Sequence, residues 1–339
     1  MKKHLRKTLV AAAVVGAVAS GIPGTASAYV YGLSHLEVQN FFITFSPLGP
    51  TTTVTSYTFT ETNTAVLNGT AVITTASCNG TQTTTTCGAG PVLDPLAAQV
   101  GTPTGENNFG FVGTGVEYAR ADSIITTAQL VNGFPSAVNL IAENNLITGL
   151  NASDSAQLQS TTNLNFSAGA GTSLTLTFIA DVDQRVAIID TGGSSQSNTQ
   201  TTFRLTRTSA GGGFISWTPD GVIVAGDCSV SAGLTGASCS ELNDGDGVVG
   251  GEDSLNNTIA TGLNPSNITY SYDVGQVFNP YGISITGLPA GDYSLSLSGV
   301  VSDDKFRIPS VVPEPASLSL LGLALLAMGF STRRRSRNA

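Results

Sequence analysis

Between Thr172 and Ile189 the chain reads TSLTLTFIADVDQRVAII, with Leu174, Leu176 and Phe178 set every second residue among serine and threonine. Successive side chains of a strand point to opposite faces, whereas a helix repeats about every 3.6 residues, so this spacing builds a strand with one apolar and one polar face. The same pattern recurs in YSLSLSGVV, where Tyr293, Leu295 and Leu297 alternate with serine, in ITYSYDV, and in TTTVTSYTFT. β-Branched and aromatic residues suit a pleated, half-buried surface, and threonine is tolerated on its wet side. Turn signals punctuate the runs: Asn68-Gly69, Asn79-Gly80, Pro219-Asp220-Gly221 and Leu288-Pro289-Ala290-Gly291. AQLQSTTNLNFSAGAGTS reads as a strand plus a loop, and the glycines of SAGGGF and TGGSS as hairpin turns. Ser136 to Leu150, SAVNLIAENNLITGL, is the one stretch that reads as a short helix or loop. No repeat of fixed period is present. The expected fold class is all-β: an antiparallel β-sandwich or jelly-roll-like body with one wet face per sheet.

Both ends of the chain differ from this body. Lys2, Lys3, Arg6 and Lys7 precede an apolar run from Leu9 to Ala19, and Ala26-Ser27-Ala28 has the A-x-A form of a signal peptidase site. Residues 1–28 are therefore expected to be a signal peptide with a short helix, leaving Tyr29 as the mature N-terminus. At the other end, Pro313-Glu314-Pro315 cannot be helical throughout, because proline lacks an N–H and pushes its predecessor out of the α region. The uncharged run Ala316 to Phe330 follows, then Arg333, Arg334, Arg335 and Arg337. As a helix, such a run spans roughly 22 Å, against about 30 Å of bilayer hydrocarbon. Ser331 and Thr332 extend it, and the arginines snorkel to the headgroups on the cytoplasmic side. The expected division is 1–28 signal peptide, 29–305 exported β-rich domain, 306–315 linker with the Pro-Glu-Pro motif, 316–332 short transmembrane helix and 333–339 basic cytoplasmic tail.

Val312-Pro313-Glu314-Pro315, an apolar run and an arginine cluster, in that order, resemble the PEP-CTERM sorting signal. The resemblance implies export across the inner membrane of a Gram-negative bacterium that makes exopolysaccharide, and a membrane-anchored precursor processed by exosortase, a membrane-embedded cysteine transpeptidase-like enzyme. The body also resembles one group of exosortase-dependent surface proteins, through LSHLEVQNFFIT, GENNF, YARADS, FISWTPDG and GLPAGDYSLSLSG. The partners so implied are signal peptidase, exosortase and, transiently, the inner membrane, with the cell surface or extracellular space as destination.

The end segments hide the charge of the body. Residues 29 to 313 hold six Lys or Arg against 22 Asp or Glu, a net charge of −16 where the whole chain shows −9. Such a surface repels phosphate backbones, so nucleic acid is not an expected partner. Four cysteines, Cys78, Cys87, Cys228 and Cys239, survive export and suit disulfides; the short separations favour Cys78–Cys87 and Cys228–Cys239. ELNDGDGVVGGED suggests ligand chemistry, because calcium takes several oxygens on a glycine-permitted turn. Asp244, Asp246 and Asp253 are its candidate ligands, although Leu242 stands where an EF-hand-like register needs an oxygen; the alternative is a solvated acidic turn beside a disulfide. Asp181, Asp183 and Arg185 read as a charge ladder or simply a wet strand face. No cofactor is required on this reading, and calcium is the one candidate. Catalysis lacks a base: the body holds only His35, with no GxSxG, HExxH or phosphate-cradling loop, so the chain is expected not to be an enzyme. Two functions remain open: a surface or extracellular-matrix structural protein, or a carbohydrate-binding module on exopolysaccharide that stacks sugars on Trp217, Tyr270, Tyr272, Tyr281 and Tyr293.

Overall fold

The computed structural model describes residues 28–46, 53–81, 92–101, 105–126, 137–148, 151–189, 191–223, 227–245, 253–263, 267–272 and 277–308, with residues 53 and 153–162 as backbone only. The strands in the first half are β1 (Tyr29–Ser46), β2 (Thr53–Leu67), β3 (Thr70–Gly80), β4 (Val92–Leu93), β5 (Ala98–Gly101), β6 (Tyr118–Thr126), β7 (Ala137–Leu146) and β8 (Asn151–Ala168). Then come β9 (Thr172–Ile189), β10 (Gly192–Arg207), β11 (Phe214–Trp217), β12 (Cys228–Val230), β13 (Ser238–Asp244) and β14 (Asn257–Ala260). The last are β15 (Ile268–Tyr272), β16 (Asn279–Leu288) and β17 (Gly291–Ile308). Among the described residues no helix is long and apolar enough to cross a membrane.

Two antiparallel sheets form the expected sandwich. The first runs β13-β16-β9-β1-β7-β6-β4, with β15 also on β9 and β5 also on β6. The second runs β12-β11-β10-β17-β8-β2-β3, with β14 also on β10. Short strands lie end to end along one long neighbour: β16 takes Thr172 to Ala180 of β9 and β15 takes Gln184 to Ile188. At Asn68-Gly69 both residues have positive φ, 49° and 83°, the requirement of a tight hairpin turn between β2 and β3. Chain segments β8–β9, β9–β10 and β16–β17 each pass from one sheet to the other, so consecutive long strands face each other across the core.

The alternating hydrophobes meet in that core. Leu174, Leu176, Phe203, Leu205, Tyr293 and Leu295 are buried together, and aromatic rings interleave, Phe166 on Tyr293 at 5.5 Å and Phe178 on Tyr281 at 5.3 Å. Ring pairs at these separations add to the burial of apolar area. Toward the N-terminal half of β1 the interior turns polar. Ser34 Oγ lies 2.9 Å from Thr199 Oγ1, and Ser195 Oγ donates to the Tyr31 carbonyl at 2.8 Å. Lys305 Nζ is wholly buried 3.1 Å from Asp303 Oδ1. Gly32 is what admits that ammonium, since a Cβ there would overlap Lys305 Cε and Nζ.

The structure corrects several expectations. Ser136 to Leu150 contains strand β7, neither helix nor loop, and its helix-like continuity of hydrophobes has a physical cause. From Leu140 to Leu146 every residue is buried, because β7 lies inside its sheet with both faces covered. One wet face per sheet therefore fails for the middle of the first sheet. Asn79-Gly80 ends strand β3 opposite Thr58 and Tyr57 and makes no turn there. The glycines of TGGSS open strand β10. The body also outlasts its expected end: β17 continues to Ile308, three residues into the segment assigned as linker, with Gly193 opposite Arg307.

Candidate functional site

The outer face of the first sheet carries a buried polar network centred on Arg120 and Glu143. Register places Arg120 on β6 opposite Glu143 on β7. Arg120 Nε and Nη2 donate to Glu143 Oε2 at 2.9 and 2.7 Å, and both side chains are excluded from solvent. The rest of the guanidinium donates to the carbonyls of Asn108 and Gly110. Glu143 Oε1 accepts from the Tyr31 hydroxyl at 2.7 Å and from Gly113 N at 2.9 Å, while Val112 N reaches Oε2 at 3.0 Å. Asn145 Nδ2 donates to the carbonyls of Thr114 and Val116. Burial, then the Glu143 charge, pushes the phenols of Tyr31 and Tyr118 far up, so they act as donors and not as bases. The connection before β6 is thus strapped across the sheet by its own backbone, over an apolar patch of Tyr31, Leu33, Ile141 and Phe109. Sequence reasoning missed this hub, although GENNF and YARADS contain its Asn108 and Arg120.

The residues singled out from the sequence scatter. Gly245, the residue after Asp244, packs so closely on the Asp253 side chain that a Cβ would collide with it. Asp244 is buried and caps the Pro219–Gly221 turn, its Oδ2 accepting from Asp220 N at 3.2 Å and its Oδ1 from Gly221 N at 3.1 Å. Burial pushes its carboxyl up to about 7, against the pull of those two N–H groups. Asp253 Oδ1 accepts from Asn279 Nδ2. Asp246 lies outside the described residues, as do Cys87, Ala26, the whole sorting segment with Pro313, Glu314, Pro315, Arg333, Arg334 and Arg335, and the segments expected to form the two terminal helices; Ala28 directly precedes β1. Asp181 and Asp183 belong to no wet face, for both are buried, while Arg185 is exposed. His35 is also buried, Nε2 2.7 Å from Asn139 Oδ1 and Nδ1 3.5 Å from Asp183 Oδ2, with Phe109 and Phe111 beside its ring. The proposed aromatic platform dissolves into the interior: Trp217, Tyr281 and Tyr293 are core residues, Tyr272 is partly buried against the same core, and Tyr270 alone of the five is exposed.

Cys228 and Cys239 form a disulfide joining β12, in the second sheet, to β13, in the first. Closing so short a loop contributes about 2.5–3 kcal/mol in the chain-entropy account. Cys78, on β3, is buried, and no described cysteine is free. Non-reducing peptide mapping of the exported protein is expected to recover residues 228–239 internally bridged and no alkylatable thiol. A crosslink from either of these cysteines to Cys78 or Cys87 would contradict the pairing.

The fold and the tail together define an all-β exported body followed by a sorting segment. A family model described as the PEP-CTERM protein-sorting motif matches residues 311–335. The chain therefore carries the signal of an exported, membrane-anchored precursor handed to exosortase. No curated protein matches the chain. A solved structure of the infectious bursal disease virus Gx strain aligns over 89% of this chain and 75% of its own, at 12% identity and a TM-score of 0.12.

Proposed function

We propose that the chain is a structural protein of the cell surface or extracellular matrix, without enzymatic activity, delivered by export and released or retained through exosortase processing of its tail. One observation supports this above the others. The last strand, β17, is hydrogen-bonded on both sides, to β10 and β8, and ends at Ile308, three residues before the matched motif. Every described strand of the sandwich ends before the Pro-Glu-Pro segment, so cutting there removes an address and leaves those strands whole. A signal that had to be cleaved inside a central strand would unravel the sheet.

Intact-mass measurement of protein from the cell surface and the medium tests the reading. The expected species starts at Tyr29 and lacks Ala316 to Ala339. Deleting exosortase, or the change Glu314→Ala, is expected to leave a longer membrane-bound form. Protein at the surface that still includes Arg333 to Arg337 would make the tail a permanent anchor and defeat the proposal.

A further inference from the structure

Three carboxylates that are far apart in sequence converge beside the polar hub. Asp94 follows β4, Glu106 lies in the connection before β6, and Asp122 is on β6; each offers an oxygen, and these atoms all lie within 4.8 Å of one another. Asp94 and Glu106 are exposed, while Asp122 is 1% exposed. Asp122 Oδ1 accepts from Ser123 N at 2.9 Å and the Asn107 backbone N–H also acts on the carboxylate, while its buried Oδ2 has no partner at hydrogen-bond geometry. A fourth acid lies behind them. Glu61 on β2 is wholly buried, neither of its oxygens is hydrogen-bonded, and the charges acting on it are those of Asp94 and Asp122.

Leaving buried carboxylate oxygens without a donor is costly, and several together repel one another. Among the described residues no lysine, arginine or histidine forms an ion pair with any of the four. The protein does hold the two outer groups in place: Asn107 Nδ2 donates to Asp94 Oδ2 at 2.8 Å and Ala97 N to Glu106 Oε1 at 2.7 Å. Each of those contacts leaves one further carboxylate oxygen.

We propose that Asp94, Glu106 and Asp122 bind a calcium ion, which bridges β4, β6 and the strap connection and supplies the positive charge this rim lacks. The donor chemistry selects the ion. All ligands are hard oxygens, with no cysteine or histidine for zinc. A buried aspartate and two exposed carboxylates reached from solvent suit the flexible coordination of calcium better than the near-ideal octahedron of magnesium. Affinity in the range of about 10⁻⁴–10⁻³ M is expected, as for other extracellular modules. This site is separate from the Asp244–Asp253 turn, where Asp244 already accepts from two backbone N–H groups.

The full chain, solubilised in mild detergent, is titrated with calcium chloride by calorimetry, with magnesium chloride as a parallel arm. Saturable calcium binding is expected, weakened at least tenfold in Asp94→Asn and in Glu106→Gln, both exposed positions whose substitution leaves the core intact. Asp244→Asn is expected to bind as the parent does. Thermal melting gives a second readout with a sign. In chelator, Asp122→Asn is expected to melt higher than the parent because it relieves repulsion; in calcium at tenfold over its Kd the parent gains about 3 °C and the variant gains nothing. Absence of saturable binding up to 10-fold above that range, or binding unchanged in both Asp94→Asn and Glu106→Gln, overturns the site. Magnesium binding as tight as calcium overturns the choice of ion.

Discussion

Glu143→Ala is expected to destabilise the body by about 3–5 kcal/mol, the cost of removing one partner from a buried ion pair. The estimate rests on what would be left behind. Arg120 is 2% exposed and would keep its charge with only the carbonyls of Asn108 and Gly110 as acceptors. The Tyr31 hydroxyl and the N–H groups of Val112 and Gly113 would lose their acceptor in the same step. Unsatisfied buried donors cost more than the bonds themselves contribute, so the loss exceeds that of an ordinary surface pair. For a domain of this size the melting temperature should fall by about 10 °C. Limited proteolysis should then cut within residues 105–117, because the strap is held by this carboxylate and not by a hydrophobic core of its own. A surface control, Arg185→Ala, should leave both readouts unchanged, since that side chain is exposed. A Glu143→Ala protein melting within about 2 °C of the parent would mean that the hub does not hold the strap.

The fold class was legible wherever one face of a strand is wet. Leu174, Leu176 and Phe178 against Ser173, Thr175 and Thr177 gave the period, and all three hydrophobes do face the core. Two residues further on the rule fails, since Ala180 to Gln184 are all buried, polar and apolar alike. The cause is tertiary: the middle of that sheet is covered on both sides, and period two reports a solvent face that no longer exists. The same covering hid the strand in SAVNLIAENNLITGL, which reads as a short helix or loop, although Asn145 is there to bond the carbonyls of Thr114 and Val116. Local turn chemistry fared unevenly, right at Asn68-Gly69 and wrong at Asn79-Gly80, because a partner strand can hold either dipeptide extended. Neither the hub nor the acid cluster could be read from spacing. Glu61, Asp94, Glu106 and Asp122 are brought together by strand pairing within the first sheet and by packing of the second sheet on it, whereas ELNDGDGVVGGED drew notice because its acids are adjacent in sequence. Sequence proximity favours solvated turns; buried charge is assembled at long range. The tail was legible for the opposite reason, since a sorting signal must be read as an extended sequence and needs no fold to display it.

In chelator, the body is expected to be more stable near pH 5 than near pH 8, against the usual trend for acid-rich proteins. Burial pushes the carboxyls of Asp122 and Asp181 up to about 6 and that of Asp244 up to about 7. Glu61 moves well upward for the same reason, and so does Asp303, with Lys305 opposing. In the unfolded chain an aspartate titrates near about 3.9. A carboxyl whose folded pKa is raised binds its proton more tightly in the folded state, so between about pH 4 and pH 7 the native protein carries more protons than the unfolded chain. Stability must then fall as pH rises through that window. Allowing for screening, about 1–2 kcal/mol per group is a reasonable scale, which amounts to a melting temperature at least about 5 °C higher at pH 5 than at pH 8. Asp181 isolates one contribution. Its Oδ1 accepts from Val277 N at 3.3 Å, its buried Oδ2 accepts nothing, and the neighbouring charges are Asp183 and Glu37, which raise its pKa, and His35, which lowers it. Asp181→Asn preserves the accepted bond and the shape while removing the titration. The variant should therefore melt about 2–4 °C above the parent at pH 8, keep only about half of that margin at pH 5, and show a shallower slope between. Melting temperatures that stay level or rise from pH 5 to pH 8 would show that these acids are solvated in the native protein and that the buried polar layer is not closed to water.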